Sequence, residues 1–246
     1  MSKGIAIITG GTGGIGTAIC TRLANEFKVI ACYFKKGNHE EARVWQQHQK
    51  NRGIDVDILY ADVSLFSDCE KLTGLVLERY GAIDVLVNNA GITNDTSLRK
   101  MSAEQWQQVI DANLTSAFNM TRNVLPSMIE KGYGRIINIS SINGRKGQIG
   151  QCNYAATKAG LYGFTKSLAQ EVANKGITVN TISPGYIETP MLTSMKEEVL
   201  QSIIARIPVG RLGKPEEIAS AVAFFAARDA SFITGTNLDI NGGQYM

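Results

Sequence analysis

Histidine and closely spaced cysteine are scarce in this sequence, and their scarcity excludes several kinds of site. Only two of the 246 residues are histidine, His39 and His48, and neither lies in a zinc-type spacing. The four cysteines lie far apart, with no C-x-x-C pair: Cys20, Cys32, Cys69 and Cys152. We therefore expect no metal site and no disulfide scaffold. A Ser-His-Asp hydrolase is disfavoured too, because both histidines lie in a polar stretch with helical character.

The sequence also has little net charge and no long hydrophobic run. It contains 25 Lys and Arg against 22 Asp and Glu, a net charge of +3, which favours neither a nucleic-acid partner nor a membrane surface. The first apolar run ends before Gly10, too early for a signal-peptide core, and the run Ala219–Ala227 is too short to cross a membrane. Because the cysteines are also unpaired, we expect a cytoplasmic protein.

What the sequence does contain is a regular alternation of short β-rich runs and longer helical patterns. The predicted strands are Ile5–Ile8, Val29–Cys32, Val56–Tyr60, Ile83–Val87, Arg135–Ile139, Ile177–Ile182 and Asn237–Ile240. The predicted helices cover 14–26, 39–51, 66–80, 102–131, 154–175 and 215–228. Nearly continuous apolar strands between helices are typical of a parallel sheet covered on both faces. We predict one α/β domain over residues 1–246, with a small helical lid near 189–206 above the carboxyl ends of the strands.

A glycine-rich turn, residues 9–16, follows the first predicted strand and opens the first predicted helix. Two glycine spacings are present in it: Gly11, Gly13 and Gly16, or Gly10, Gly14 and Gly16. Such a turn lets backbone N–H groups approach a pyrophosphate, and the helix dipole attracts its charge. A dinucleotide site is therefore predicted, the alternative being a flexible turn.

The end of the second strand bears on the choice between NAD and NADP. An acidic residue there would bond the ribose 2′-OH of NAD, whereas a cation would accept the 2′-phosphate of NADP. Lys35 and Lys36 follow this strand without a carboxylate, so we expect NADP(H); a solvated lysine pair is the alternative. Asp62 and Val63 close the third strand and are expected at the adenine, unless Asp62 only caps the next turn.

Tyr154 and Lys158 are the strongest catalytic candidates. Their i, i+4 spacing in a helical stretch puts both side chains on one helix face. A tyrosine hydroxyl ordinarily has a pKa near ~10, and we expect a nearby ammonium and an oxidised nicotinamide to lower it. Such a tyrosine could give a proton to a carbonyl oxygen as hydride reaches the carbonyl carbon. Cys152, two residues earlier, is expected to be a packing residue.

Further candidate site residues lie at or after the ends of other predicted strands. Ser141 follows the fifth strand, where its hydroxyl could hold a substrate carbonyl against Tyr154. The run Asn88–Gly91 closes the fourth strand and suits close packing against a ribose and nicotinamide, with a simple turn as the alternative. Asn113 lies within a predicted helix, where asparagine is mildly unfavourable, so a specific role is indicated.

Together these motifs resemble the short-chain dehydrogenase/reductase family over about residues 3–243. The resemblance implies a Rossmann-type, doubly wound parallel sheet of about seven strands, and a homotetramer. It also implies a catalytic tetrad of Asn113, Ser141, Tyr154 and Lys158. In that family the tyrosine donates the proton and the serine orients the carbonyl, while the lysine bonds the nicotinamide ribose and the asparagine holds a water.

The same resemblance implies a set of cofactor contacts along the carboxyl edge of the sheet. They are Gly10, Thr12, Gly13, Gly14, Ile15, Gly16, Lys35, Lys36, Asp62, Val63, Asn89, Ala90, Gly91, Ile92, Tyr154, Lys158, Pro184, Gly185, Ile187 and Thr189.

Within the family the sequence resembles the 3-oxoacyl thioester reductases, most of all the NADPH-dependent acetoacetyl-CoA reductases of polyhydroxybutyrate synthesis. The segments that carry this resemblance are 92–101, 143–151 and 183–187. It implies an R product and acyl-CoA contacts from Asp95, Lys100, Ser141, Gln148, Ile149, Gln151 and Tyr186. Two positions depart from the pattern: Ile149 replaces an expected aromatic residue, and Asn94 an expected basic one.

Several alternatives stay open at this point. Cations at the mouth of the site could bind coenzyme A phosphates or dock an acidic carrier protein: Arg99, Lys100, Arg145 and Lys146. A 3-oxoacyl-[acyl-carrier-protein] reductase of fatty-acid synthesis is therefore the rival enzyme. A non-catalytic NADP sensor on the same fold is disfavoured by the intact serine, tyrosine and lysine. A sugar or steroid dehydrogenase is a further option.

Overall fold

A parallel sheet of seven strands forms the centre of the structure, a computed structural model that describes residues 3–34, 38–189, 192 and 195–246. The strands are β1 (Gly4–Thr9), β2 (Phe27–Tyr33), β3 (Val56–Tyr60), β4 (Val85–Asn88), β5 (Gly134–Ile139), β6 (Ile177–Pro184) and β7 (Asn237–Ile240). Their order is β3-β2-β1-β4-β5-β6-β7, and every neighbouring pair is parallel. This arrangement confirms the predicted Rossmann-type α/β fold.

Helices connect the strands and cover both faces of the sheet. In chain order they are α1 (Gly14–Leu23), α2 (His39–Asn51), α3 (Phe66–Tyr80), α4 (Ala103–Ile110), α5 (Ser116–Lys131), α6 (Asn143–Lys146), α7 (Cys152–Val172), α8 (Glu197–Ile204) and α9 (Pro215–Ala226). Among the described residues, none of these helices is both long and apolar enough to cross a membrane.

The core has two halves, one on each face of the sheet. Successive residues of β1 point to opposite faces: Ala6 and Ile8 pack in the half that contains α1 and α9. Ile5 and Ile7 pack in the half that contains α3, α5 and α7. This double burial explains why the strands are continuously apolar.

The stretch 102–131, predicted as one helix, contains a local change of geometry. Residues Asp111–Thr115 form a π-helical turn between α4 and α5. Ser102 begins α4 with a reciprocal cap, in which its hydroxyl accepts from the backbone of Gln105 and the Gln105 side chain accepts from the backbone of Ser102. A π turn shifts the following side chains relative to a regular helix and is frequent at functional sites.

The predicted lid near 189–206 is described only in part. Thr189, Leu192 and residues from 195 onward lie within the described chain, and α8 is the helix found there. The other positions of this segment, Pro190, Met191, Thr193 and Ser194, lie outside the described residues.

Candidate active site

A cleft of about 790 Å³ opens at the carboxyl ends of β1 and β4. In the sheet, β2 lies on one side of β1 and β4 lies on the other, so the strand order changes direction between β1 and β4. Ligands of open parallel sheets bind at such a switch point, beyond the carboxyl ends of the strands. Predicted cofactor residues in its wall are Gly10, Thr12, Gly13, Gly14, Ile15, Gly16, Asp62, Val63, Asn89, Ala90, Gly91, Ile92 and Thr189. The structure therefore brings most of the predicted cofactor contacts to one cavity.

The glycine turn is shaped by close backbone contacts. Gly10 has a φ of 62°, in the left-handed region that favours glycine. A Cβ on Gly11 would lie 2.7 Å from the Cβ of Ala31, and a Cβ on Gly16 would collide with the carbonyl oxygen of Gly10. Gly13 precedes α1 without any side-chain cap. The first N–H groups of α1 therefore have no side-chain partner and fit a pyrophosphate.

Asn89 fixes the glycine turn against the end of β4. Its side-chain Nδ2 donates to the carbonyl oxygens of Thr9 (2.9 Å) and Gly10 (3.2 Å). The hydroxyl oxygen of Thr9 accepts from the backbone N–H groups of Asn89 and Ala90, both at 3.0 Å. Asn89 thus uses its amide to build the cleft, besides forming part of its wall.

The nucleotide end of the cleft holds both expected and unexpected residues. Asp62 Oδ1 accepts from the backbone N–H (3.0 Å) and hydroxyl (2.6 Å) of Ser64, so it caps the next turn as well as facing the cleft. Tyr33 and Phe34 also form part of the wall, although the sequence analysis did not select them. Lys35 and Lys36, on which the preference for NADP depends, lie outside the described residues.

Ser141 and Tyr154 meet between the end of β5 and the start of α7. The Ser141 side chain lowers the pKa of the Tyr154 hydroxyl, so the two hydroxyl groups face each other. The hydroxyl oxygen of Ser141 also accepts from the backbone N–H of Asn143 at 3.1 Å. Behind Ser141, the hydroxyl of Tyr162 donates to its carbonyl oxygen at 3.0 Å. The two hydroxyl groups predicted to share a substrate oxygen are therefore adjacent.

Lys158 lies buried one helical turn after Tyr154. Its Nζ donates to the carbonyl oxygen of Ile139 at 2.8 Å and lies 5.6 Å from the centre of the Tyr154 ring. Burial lowers the pKa of the Lys158 ammonium from 10.5 to about 8. A Cβ on Gly91 would lie 3.2 Å from Asn113 Oδ1 and 3.4 Å from Nζ, so a larger residue there would be tight against Asn113.

Asn113 lies in the π turn and is buried. Its Oδ1 accepts from the backbone N–H of Ile92 at 2.8 Å, and its Nδ2 donates to the Ile92 carbonyl oxygen at 2.9 Å. Nδ2 also lies 3.3 Å from the hydroxyl of Thr157. The side chain of Asn113 therefore fixes the segment after β4 beside α7, next to Lys158.

The expected lowering of the Tyr154 pKa is not what the structure gives. Burial raises the pKa of Tyr154 above its ordinary value of 10.0, while the Ser141 side chain lowers it and the carboxylate of Asp95 raises it further. The expectation relied on the neighbouring ammonium and on an oxidised nicotinamide, and of these only the ammonium belongs to the chain. The ammonium of Lys158 instead donates to Ile139, and burial is the larger effect.

Several of the predicted substrate residues are exposed to solvent. Asp95 and Lys100 are exposed, and Ile149 is 97% exposed at the rim. Gln151 Nε2 donates to Asp95 Oδ2 at 2.6 Å, and Gln148 Oε1 accepts from Lys146 Nζ at 3.1 Å. Gln148, Ile149 and Gln151 directly precede the start of α7, and Asp95 meets Gln151 there.

The segment after β6 contacts a different part of the chain. Ile187 and Tyr186 line a second, smaller cavity of about 110 Å³. The N–H of Gly185, which follows Pro184, donates to the Ile240 carbonyl oxygen at 2.8 Å. Thr189 alone of this predicted group lies in the wall of the large cleft, among the residues that the structure describes there.

The structure contradicts the expectation for Cys152 and gives Arg145 a partner other than the substrate. Cys152 is exposed at the first residue of α7, so the prediction that it is a packing residue is wrong. Its place in the first turn points it outward while Asn153 is buried. Arg145 pairs with Asp239 at 3.8 Å and lies 5.5 Å from the centre of the Tyr245 ring, so its charge is engaged away from the rim.

Some residues of the cleft wall were missed by sequence reasoning. They are Tyr33, Phe34, Ser64, Gln108, Asp111 and Ala112. Gln108 and Asp111 are three residues apart, but they lie five and two positions before Asn113, so a helix-face argument from Asn113 would not have found them. No group of three or more potential metal ligands occurs among the residues for which side chains are described.

Comparisons with known proteins agree with this geometry. A family model described as short chain dehydrogenase matches residues 4–200. The chain is 50% identical over 242 residues to an acetoacetyl-CoA reductase of Allochromatium vinosum, with 98% of each chain covered. It is 51% identical over 244 residues to an acetoacetyl-CoA reductase of Rhizobium meliloti, again with 98% of each covered.

A more distant relative represents the rival enzyme. The chain is 43% identical over 243 residues to a 3-oxoacyl-[acyl-carrier-protein] reductase of Vibrio cholerae, covering 98% of this chain and 97% of the relative. The family match, the parallel sheet and the glycine turn lead to the same conclusion, which confirms the resemblance found in the sequence. The chain belongs to the short-chain dehydrogenase family of oxidoreductases.

Proposed function

We propose that this protein reduces the 3-keto group of acetoacetyl-CoA, or another short 3-oxoacyl-CoA, to an (R)-3-hydroxyacyl-CoA with NADPH. The observation that carries the proposal is the position of buried Lys158 Nζ, 5.6 Å from the centre of the Tyr154 ring, with the Ser141 hydroxyl close enough to act on the Tyr154 pKa. The names of the relatives at about half identity over nearly the whole chain support this substrate.

The family and fold imply a nicotinamide cofactor, which supplies a hydride to the substrate carbonyl carbon when bound. The residues present fit it: the glycine turn offers N–H groups to the pyrophosphate, and Gly91 leaves space beside Lys158. That the cofactor is NADP(H) is part of the proposal and depends on Lys35 and Lys36.

Ser141 orients the substrate in this proposal. Its oxygen already accepts the Asn143 N–H, so its own proton remains free to be donated to a ketone oxygen. The Tyr154 hydroxyl faces the same Ser141 hydroxyl, which lowers its pKa. A ketone oxygen placed between them receives two hydrogen bonds that strengthen as negative charge develops on it.

Tyr154 then delivers the proton. Because burial raises the pKa of its hydroxyl above 10.0, Tyr154 carries its proton at neutral pH, as a donor in the reductive direction must. Lys158, with a pKa of about 8, is mostly an ammonium at pH 7. That charge lies 5.6 Å from the centre of the Tyr154 ring, and in this proposal it offsets only part of the cost of burying the phenolate left after proton transfer.

The rival substrate is the same acyl group on a carrier protein. The Vibrio cholerae relative and the exposed cations Arg99 and Lys100 favour it as the second candidate. The test compares kcat/KM for acetoacetyl-CoA and for acetoacetyl-carrier protein with NADPH. The proposal expects the coenzyme A thioester to be at least about as good a substrate, and a large preference for the carrier would overturn it.

The assembly, location and physiological role are proposals of the same standing. A homotetramer, a cytoplasmic location and a role in polyhydroxybutyrate synthesis are supported by the sequence resemblance. The non-catalytic NADP sensor is set aside, because the chain belongs to an enzyme family and keeps the serine, tyrosine and lysine.

A further inference from the structure

Three side chains form a hydrogen-bonded chain that ends at the turn carrying Ser141. Gln151 Nε2 donates to Asp95 Oδ2 at 2.6 Å, and Asn143 Nδ2 donates to Gln151 Oε1 at 2.9 Å. The backbone N–H of Asn143 donates to the hydroxyl oxygen of Ser141 at 3.1 Å. The exposed loop after β4 is thereby connected to the hydroxyl that would orient the substrate.

The direction of these hydrogen bonds is set by Asp95. An ionised carboxylate only accepts, so Gln151 must turn its NH₂ group toward Asp95. Its carbonyl oxygen then faces Asn143 and can only accept, which forces Asn143 to present its own NH₂ group. The orientations of both amides therefore follow from one negative charge at the rim.

The remaining atom of Asn143 shows that this orientation is imposed rather than locally favourable. Its Oδ1 is buried and has no hydrogen-bond partner within the described part of the chain. Asn143 is 8% exposed, so water compensates little for the missing hydrogen bond. A buried acceptor without a donor costs free energy, and such groups are retained where another requirement outweighs the cost.

The loop that carries Asp95 is itself held against the start of α7. The N–H of Thr96 donates to the Gly150 carbonyl oxygen at 2.9 Å. The side chain of Asn153, which is fully buried, donates to the Asn94 carbonyl oxygen at 3.1 Å. Asp95 is thus held beside Gln151 by its chain neighbours on both sides.

We propose that Gln151 and Asn143 are positioning residues for Ser141 and that Asp95 sets the direction of their hydrogen bonds. The inference rests on the proposed function, in which Ser141 orients the ketone. The Asn143 N–H occupies the Ser141 oxygen and leaves the serine proton for the side where Tyr154 lies. A displaced Asn143 would misdirect that proton, and the loss would fall on kcat more than on KM.

A charge exchange along the chain tests this. Gln151→Glu places two carboxylates against each other, and we expect kcat to fall on the order of 10- to 100-fold. Asp95→Asn alone keeps an acceptor for Gln151, and a smaller loss is expected. In the double variant Asp95→Asn, Gln151→Glu, an amide donates to the relocated carboxylate from each side, and kcat should return to within about threefold of wild type.

A matched control adds a charge to the same loop without touching the chain. Ser97→Asp lies two residues from Asp95, and the Ser97 side chain makes no capping hydrogen bond, so its kcat should stay within about twofold. Lack of rescue in the double variant would overturn the proposal, because residues that only contact substrate would give losses that accumulate.

The experiment distinguishes failure of the proposed function from failure of the positioning proposal. Wild-type protein is assayed first with acetoacetyl-CoA and NADPH, and absence of turnover there rejects the substrate alone. The variants are then compared with whichever 3-oxoacyl thioester is reduced and by their thermal unfolding midpoints. The midpoint should drop in Gln151→Glu and recover in the double variant; an unrescued midpoint contradicts the chain even without turnover.

Discussion

At the scale of single residues, burial moves the Tyr154 and Lys158 protons in opposite directions. It raises the pKa of the phenol and lowers that of the ammonium to about 8. Both pKa shifts arise because burial disfavours the charged form, which is the phenolate of Tyr154 and the ammonium of Lys158. The phenol is thereby kept protonated for reduction, and the lysine charge is costly unless the site uses it.

Removing the phenolic hydroxyl should remove proton transfer. We predict that Tyr154→Phe lowers kcat by about 10²- to 10⁴-fold, with little change in the unfolding midpoint. Initial rates of NADPH oxidation check this. Near-normal turnover in the variant would show that another group supplies the proton.

The buried ammonium of Lys158 should cost stability. We predict that Lys158→Met abolishes activity but stabilises the fold at pH 7 by on the order of 1–3 kcal/mol. Below pH 8 the native state holds a buried charge. Between about pH 8 and pH 10.5 the unfolded chain binds more protons than the native state, so the stability of the wild-type protein rises with pH. The stability advantage of Lys158→Met over wild type therefore narrows in this range.

Thermal unfolding of both proteins without cofactor, at pH 7 and again near pH 9.5, measures this difference. A variant that is less stable at pH 7, or a difference that widens at the higher pH, would contradict the assigned cost of the ammonium.

Lys35 and Lys36 carry the proposed preference for NADPH. Replacing both with alanine should raise KM for NADPH by about tenfold or more, and change KM for NADH much less. The ratio of the two kcat/KM values is the measurement, and an unchanged ratio would mean that neither lysine meets the 2′-phosphate.

At the scale of elements, the glycine turn and the π turn differ in how far the sequence reveals them. The position of the turn was predicted, but the reason for each of its glycines is visible only in the geometry. Gly10 has a positive φ, and a Cβ on Gly11 or on Gly16 would collide with Ala31 or with the carbonyl oxygen of Gly10, so both predicted spacings contain glycines that the backbone requires. The π turn at Asp111–Thr115 was not predicted, because the apolar pattern continues through it.

The close contact at Gly16 gives a prediction for the turn as a unit. Gly16→Ala should displace the turn and raise the Kd for NADPH more than about tenfold. Gly74→Ala on α3 is the matched control, because a Cβ there meets nothing within 4 Å. Fluorescence titration compares them, and equal Kd values would mean that the turn tolerates the added methyl.

The hydrogen-bonded chain through Gln151 shows another limit of sequence reasoning. Asp95 and Gln151 were selected as substrate residues from a resemblance, and Asn143 was not selected as a site residue. Nothing in local spacing joins Asp95 to Gln151, because they are 56 positions apart and meet only when the β4 loop packs on α7. Long-range pairs of polar side chains are outside the reach of periodicity arguments.

At the scale of the whole molecule, the sheet was predictable because its strands are buried on both faces. Each predicted strand overlaps an observed one, and continuous apolar runs between helices leave few other architectures. The proposed catalytic pair on α7, Tyr154 and Lys158, was equally predictable, since i, i+4 spacing is a local property. The residues around the substrate entrance and in the predicted lid were less predictable, because exposed polar residues there show no hydrophobic periodicity.

The account as a whole depends on Tyr154, Ser141 and Lys158 acting together on a ketone beside the glycine turn. The most direct measurement is the initial rate of NADPH oxidation by wild-type protein with acetoacetyl-CoA, together with the configuration of the product. The account predicts thioester-dependent oxidation that yields (R)-3-hydroxybutyryl-CoA. Oxidation that does not depend on the thioester, or a product with an unreduced 3-keto group, would contradict it.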